Sequence, residues 1–196
     1  MFSTTPSTRM LDGHSDKCPL GTVFAYNSLL TAFTELRYFV HITNYNTGTG
    51  YFRQSWNLVK LRLPNGVTTV GGAFNEIGVM NWNFYPDTLT TMAYCPNIII
   101  DTMIVPFGVT SIAQRAWSGA GGRRRNMRWI VLEPTTPPTF GGNPFYIDYS
   151  YVKVFVPNDS VDAYKAVSQL SSVKSRIYPI SDFETYFPGE SYVRVP

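Results

Sequence analysis

Short apolar runs that end on proline recur along the middle of the chain. Leu58-Val59-Lys60-Leu61-Arg62-Leu63 stops at Pro64, Met80 to Tyr85 at Pro86, and Asp101 to Val105 at Pro106. Met127 to Glu133 stops at Pro134, and Tyr151 to Val156 at Pro157. Runs of this length with alternating character predict strands. Proline cannot donate a ladder hydrogen bond, so it closes each strand and turns the chain away. The proline-to-proline spacings are 22, 20, 28 and 23 residues, a period that predicts stacked supersecondary units.

The residues after each proline repeat as well. Val67 and Val70 follow Pro64, Leu89 and Met92 follow Pro86, and Val109 and Ile112 follow Pro106. Ala73-Phe74 and Ala116-Trp117 add a small residue and a large ring, read as a plug on the convex side. The Pro134 copy is strained: Pro137 and Phe140 take the two apolar places, and Asn143-Pro144-Phe145 stands where Ala-Phe is expected. One such unit cannot bury its own core face, so neighbours must cover it. The pattern predicts a short solenoid of stacked, strand-containing units.

The ends of the pattern differ from its middle. Residues 1–20 form a lead segment that lacks the apolar stretch of a signal peptide. Residues 21–180 form the repeat body, and Gly21 to Phe52 reads as one or two atypical repeats capping its N-terminal end. Residues 151–180 form a closing unit. There Asn158-Asp159-Ser160 supplies helix N-cap residues, and Val161 to Val167 has helical spacing that predicts a C-terminal capping helix, with Pro179-Ile180 as its stop. Residues 181–196 are read as an extension lying on the surface or reaching a neighbour.

The units LVKLRLPNGVTTVGGAF and MIVPFGVTSIAQRAW resemble the BspA-like leucine-rich repeat of surface proteins from gut and oral bacteria. The run VKVFVPNDSVDAYKAVSQLSSVKSRIYPI resembles the closing unit of those proteins, and PTTPPTFGGNPF resembles the penultimate one. The resemblance spans roughly Phe33 to Ile180. It implies an α/β repeat, a short right-handed leucine-rich-repeat solenoid with a parallel sheet on one side, adhesion or recognition at a cell surface, and no catalytic residues or cofactor. Similar modules occur in phage virion proteins. The partners expected are therefore a protein or glycan on a cell surface, or neighbouring subunits of a virion. The location expected is correspondingly extracellular or virion.

Composition narrows the picture further. Charged residues make up only 15% of the chain and aromatics as much again, which argues for an ordered core. A net charge of +3 without a focused basic face argues against nucleic acid. Arg123, Arg124, Arg125 and Arg128 follow a glycine-rich stretch and read as a solvated loop. No run of about 18 apolar residues is present to span a membrane. Cys18 and Cys95 read as two small apolar residues. His14 and His41 belong to no metal-ligand spacing, the carboxylates form no Asp-x-Asp loop, and Gly48-Thr49-Gly50 lacks the lysine of a phosphate loop. These readings favour a binding protein over an enzyme.

The recognition surface expected in such an architecture is the outward face of the sheet. Counting back from each proline places Arg62, Phe84, Ile104 and Phe155 in one outward line and Lys60, Trp82, Thr102 and Lys153 in the next. Lys60, Arg62, Trp82 and Phe84 are the candidate ligand-binding residues, since aromatics and arginine anchor interfaces. A register one residue over would instead bury Trp82 and Phe84 and expose Asn81 and Asn83.

Overall fold

The computed structural model describes residues 24–46, 51–74, 77–78, 81–95, 100–117, 127–145 and 151–193, with Asn81 and Trp82 as backbone only. The lead segment with His14 and Cys18, the arginines at 123–125, and the last three residues lie outside the described residues. The described strands are β1 (Ala32–Phe33), β2 (Asn44–Tyr45), β3 (Lys60–Leu61), β4 (Thr69–Val70), β5 (Asn81–Trp82) and β6 (Thr91–Met92). They continue with β7 (Thr102–Val105), β8 (Ser111–Ile112), β9 (Trp129–Leu132), β10 (Thr139–Phe140), β11 (Lys153–Val156) and β12 (Ile177–Pro179). Two short α-helices, α1 (Val161–Ala166) and α2 (Phe183–Tyr186), come late in the chain.

The fold is α/β with parallel sheets and few helices. One five-stranded sheet runs β12-β11-β9-β7-β5 and a second runs β10-β8-β6-β4-β2; β1 and β3 form a separate pair. All described pairings are parallel. From β5 to β11 the chain alternates between the two sheets, so each turn of chain adds one strand to each. Sequence reading expected one sheet. The segments after Pro64, Pro86, Pro106 and Pro134 supply the second sheet, each pairing with its counterpart in the neighbouring turn. Thr69 lies opposite Thr91, Thr91 opposite Ser111, and Ser111 opposite Thr139. These steps of 22, 20 and 28 residues equal the first three proline spacings.

The local chemistry explains the turns. Val67, Leu89 and Val109 each donate a backbone N–H to the carbonyl of the proline three residues earlier. A threonine line then ties adjacent turns of chain together. Thr90 donates its hydroxyl to the Thr68 carbonyl at 3.1 Å, and Thr68 donates to that of Thr43 at 3.2 Å. These hydroxyls supplement the sparse ladder of two-residue strands.

The core lies between the two sheets. Leu61, Leu63, Met103, Val105, Ile130, Leu132, Val154 and Val156 point in from the longer strands; Val70, Met92, Ile112 and Phe140 meet them from the opposite side. The Ala73-Phe74 and Ala116-Trp117 pairs are buried, and Phe145 packs on Trp117 with ring centroids 5.2 Å apart. At the N-terminal end, Phe24, Phe33, Phe52 and Phe74 stack in sequence, the last two at 5.8 Å and 3°. Strands β1 and β2 supply the first turn of chain in that region.

The closing unit departs from expectation in three respects. Ser160 does not cap α1 with its side chain; its hydroxyl donates to the Thr135 carbonyl at 2.6 Å instead. The Asn158 side chain accepts the backbone N–H of Ser181 at 3.1 Å. Helix α1 ends at Ala166, a 3-10 helix follows over Ser168–Arg176, and Ile177 to Pro179 form β12, which adds one more strand to the long sheet. Tyr164 anchors α1 through its hydroxyl, which donates to the Pro134 carbonyl at 2.8 Å.

Candidate recognition groove

The register of the long sheet fixes what faces outward. Thr102 lies opposite Asn81 and Trp129, and Trp129 opposite Lys153. The second line passes through Ile104, Val131, Phe155 and Tyr178. Trp82 lies opposite Met103, a core residue, and not opposite Thr102 as counting from proline suggested. The chain takes one more residue from the ladder to Pro86 than from the ladder to Pro106. That extra residue shifts the register, and Asn83, which donates its amide to the Val193 carbonyl, takes the outward place that counting gave to Phe84. Phe84 is 4% exposed and belongs to the main core, with its ring centroid 5.0 Å from that of Tyr85. The Trp82 side chain lies outside the described residues.

The outward face divides into two parts. Over β7, β9, β11 and β12 it is covered by the chain's own C-terminal segment. Ile104, Trp129, Val131, Phe155 and Phe183 form a second buried cluster, joined by Tyr178, Ile180, Phe187 and Tyr192. Phe183 meets Trp129 edge-on at 5.1 Å and Phe155 at 5.0 Å. The Lys153 ammonium sits 5.2 Å from the Tyr186 ring centre. Residues 181–193 thus pack on their own sheet, and Ile104, Phe155 and Thr102, expected as outward positions, are buried beneath them or beside them.

A polar clasp holds this strap. Arg128 pairs with Asp101 at 3.1 Å and with Glu190, and the Trp129 indole N–H donates to Glu190 at 3.1 Å. Asn83 donates its amide to the Val193 carbonyl at 3.1 Å. The hydrogen bonds to Asp101 and Glu190 hold the Arg128 guanidinium well above its ordinary pKa. The bond from Arg128 draws the Glu190 carboxyl below the usual carboxylate value. Arg128, expected in a solvated loop, is therefore a fastening of the strap.

Toward the N-terminal end the outward face is open. Among the described residues no ladder pair joins β3 to β5, although β4 and β6 of the same two turns of chain are paired. A groove of about 450 Å³ occupies the gap, lined by Thr34, Arg37, Lys60, Arg62, Asn83 and Phe84. Val59 and Leu61 supply its remaining apolar surface. Of the expected site residues, Lys60 and Arg62 line this groove from its walls and Phe84 from its floor. Arg37 and Thr34 come from the atypical first turn of chain, where no repeat pattern drew attention to them. Arg37 stacks on Tyr38, its guanidinium carbon 4.8 Å from the ring centre. Among the described residues Arg37, Lys60 and Arg62 make no ion pair, and no carboxylate lines the groove.

Other reactive groups are withdrawn from solvent. Burial pushes the Cys95 thiol far above its ordinary pKa and so holds it neutral; Tyr85 and Tyr164 are raised for the same reason. His41 is exposed, and no group of three or more metal-ligating side chains occurs among the described residues. No described helix is long and apolar enough to cross a membrane. No protein-family model matches the chain, and a search of curated proteins finds no match.

Proposed function

We propose that the chain is a leucine-rich-repeat solenoid of the BspA-like kind, acting without catalysis as a recognition module at a cell or virion surface. Its contact surface is the open N-terminal part of the outward sheet face. The repeat reading is supported by steps of 22, 20 and 28 residues between paired positions, which match the proline spacings, and by the alternation of the chain between two parallel sheets. One observation carries the site. The C-terminal half of the face is occupied by the chain's own strap, while the N-terminal half is a groove holding three cations without acidic partners. Exposed charge of one sign in a concavity favours encounter with an oppositely charged partner.

The strap also bears on the alternative reading of a virion part fastened by its termini. Residues 181–193 satisfy their aromatic groups within the same chain, so their order needs no neighbouring subunit.

The test is attachment. Beads coated with the chain should adhere to mucin-coated plates above albumin-coated beads. Beads carrying the Lys60→Glu/Arg62→Glu variant should lose that excess. Equal adhesion of both forms overturns the site; adhesion no greater than albumin on mucin and on epithelial monolayers overturns the recognition reading.

A further inference from the structure

We propose that the groove between β3 and β5 is a subsite for the carboxylate or sulfate of an acidic saccharide. The inference rests on the recognition reading above and names the ligand class.

The charge argument comes from one face of one molecule. The cations of the outward side differ in what they meet: Lys153 lies over the Tyr186 ring of the strap. Arg128 is neutralised twice, by Asp101 and Glu190. Arg37, Lys60 and Arg62 converge on one groove that, among the described residues, no carboxylate lines; Glu35, outside the lining, accepts the Thr34 hydroxyl at 3.4 Å. Like charges brought together without counter-charge repel, and the arrangement gains when an anion enters. Arg37 and Arg62 offer planar forks that match two oxygens of a carboxylate or sulfate, and Lys60 adds a point charge.

The remaining lining fits a sugar. The Thr34 hydroxyl donates to Glu35 and the Asn83 amide to Val193, and the oxygen of each can still accept from a ring hydroxyl. Val59, 55% exposed, gives an apolar contact for the C–H face of a pyranose, with the buried Leu61 and Phe84 beneath. A volume of about 450 Å³ is within the usual range for small-ligand sites. An acidic peptide fits less well. Strand addition needs a run of free ladder positions, and β3 is two residues long. Nucleic acid would need a basic track longer than one groove.

The experiment titrates the full chain by calorimetry with four probes. They are a heparin tetrasaccharide, a hyaluronan tetrasaccharide, neutral chitotetraose and a glutamate peptide of matched charge. Binding of heparin supports a sulfate-accepting subsite, and binding of hyaluronan a carboxylate-accepting one. Either should weaken by about tenfold or more in Lys60→Gln/Arg62→Gln, since a lost hydrogen bond to a charged group is worth that much. The Lys174→Gln variant, an exposed cation elsewhere, should bind as the parent does. Amide NMR spectra of the variants report whether the fold is kept. The proposal is overturned if the glutamate peptide binds as tightly as the saccharides, if the groove variant binds unchanged, or if neither acidic saccharide binds. In the last case, loss of bead attachment in the groove variant would still sustain the recognition reading, so the two failures are distinguishable.

Discussion

Glu190 joins two tasks in one side chain. Its carboxylate accepts from the Arg128 guanidinium and from the Trp129 indole, so it pins the strap at the point where the outward face begins to be covered. Because its pKa lies below the usual value when the strap is docked, the docked form binds fewer protons than the released one. Its contribution is complete above the ordinary carboxylate pKa and falls as the pH drops through the lowered value. Acidification through that window, or the Glu190→Gln substitution at neutral pH, is expected to loosen the strap. The Trp129 indole N–H resonance should then shift and exchange faster with solvent; a resonance insensitive to both changes would contradict the clasp. At this scale the sequence was legible where one residue acts alone. Lys60 and Arg62 stand out as charges within an apolar run. Glu190 did not, because its partners are 61 and 62 positions away and no local pattern connects them. Trp82 and Phe84 were misplaced because proline marks the end of a strand without fixing its register. Packing decides that, and a single added residue before Pro86 reverses the faces.

The strands and turns were more legible than any single site. Periodic apolar runs and prolines are local signals, and the strands they mark from β5 to β11 pair in parallel in one sheet. The second sheet was missed because its strands are two residues long, too short to show alternation, and they depend on threonine hydroxyls and neighbouring turns of chain for support. Close spacing between turns of chain places its own demand on glycine. A methyl group on Gly78 would lie 1.6 Å from the Trp56 carbonyl oxygen, a clash that only backbone movement relieves. Gly78→Ala is therefore expected to destabilise the chain by more than about 3 kcal/mol, above the usual range for one substitution. Urea unfolding followed by circular dichroism measures this; a midpoint equal to that of the parent would show that the two turns of chain are free to separate.

Across the whole molecule, two apolar clusters lie back to back on either side of the long sheet. The larger fills the space between the sheets; the smaller exists only because the strap returns to the outward face. Sequence reading foresaw the first from its periodicity. It treated residues 181–196 as an extension, since aromatic residues in a short tail do not reveal which surface receives them. Ending the chain after Ile180 should uncover Ile104, Trp129, Val131 and Phe155 together. An exposed patch of that kind binds hydrophobic dyes and promotes association. Enhanced fluorescence of 8-anilinonaphthalene-1-sulfonate and concentration-dependent light scattering are the expected signs, while the core and its secondary structure remain. A truncated chain that stays monomeric and dye-free would mean the strap seals nothing.

The gap beside β3 has a mechanical consequence. A stack of this kind is held mainly by contacts between successive turns of chain, so its cooperativity is only as good as its weakest seam. Between β3 and β5 one side of the stack lacks a described ladder, while β4 and β6 keep the other side joined. A seam with a described ladder on one side alone is expected to loosen first on the groove side. Backbone amides of the first turns of chain, through Leu63, should exchange with deuterium before those of β7, β9 and β11. An acidic saccharide held by Arg37, Lys60 and Arg62 on one side and by Asn83 on the other would bridge the seam, so that occupancy of the groove is expected to register as slower exchange at the N-terminal end.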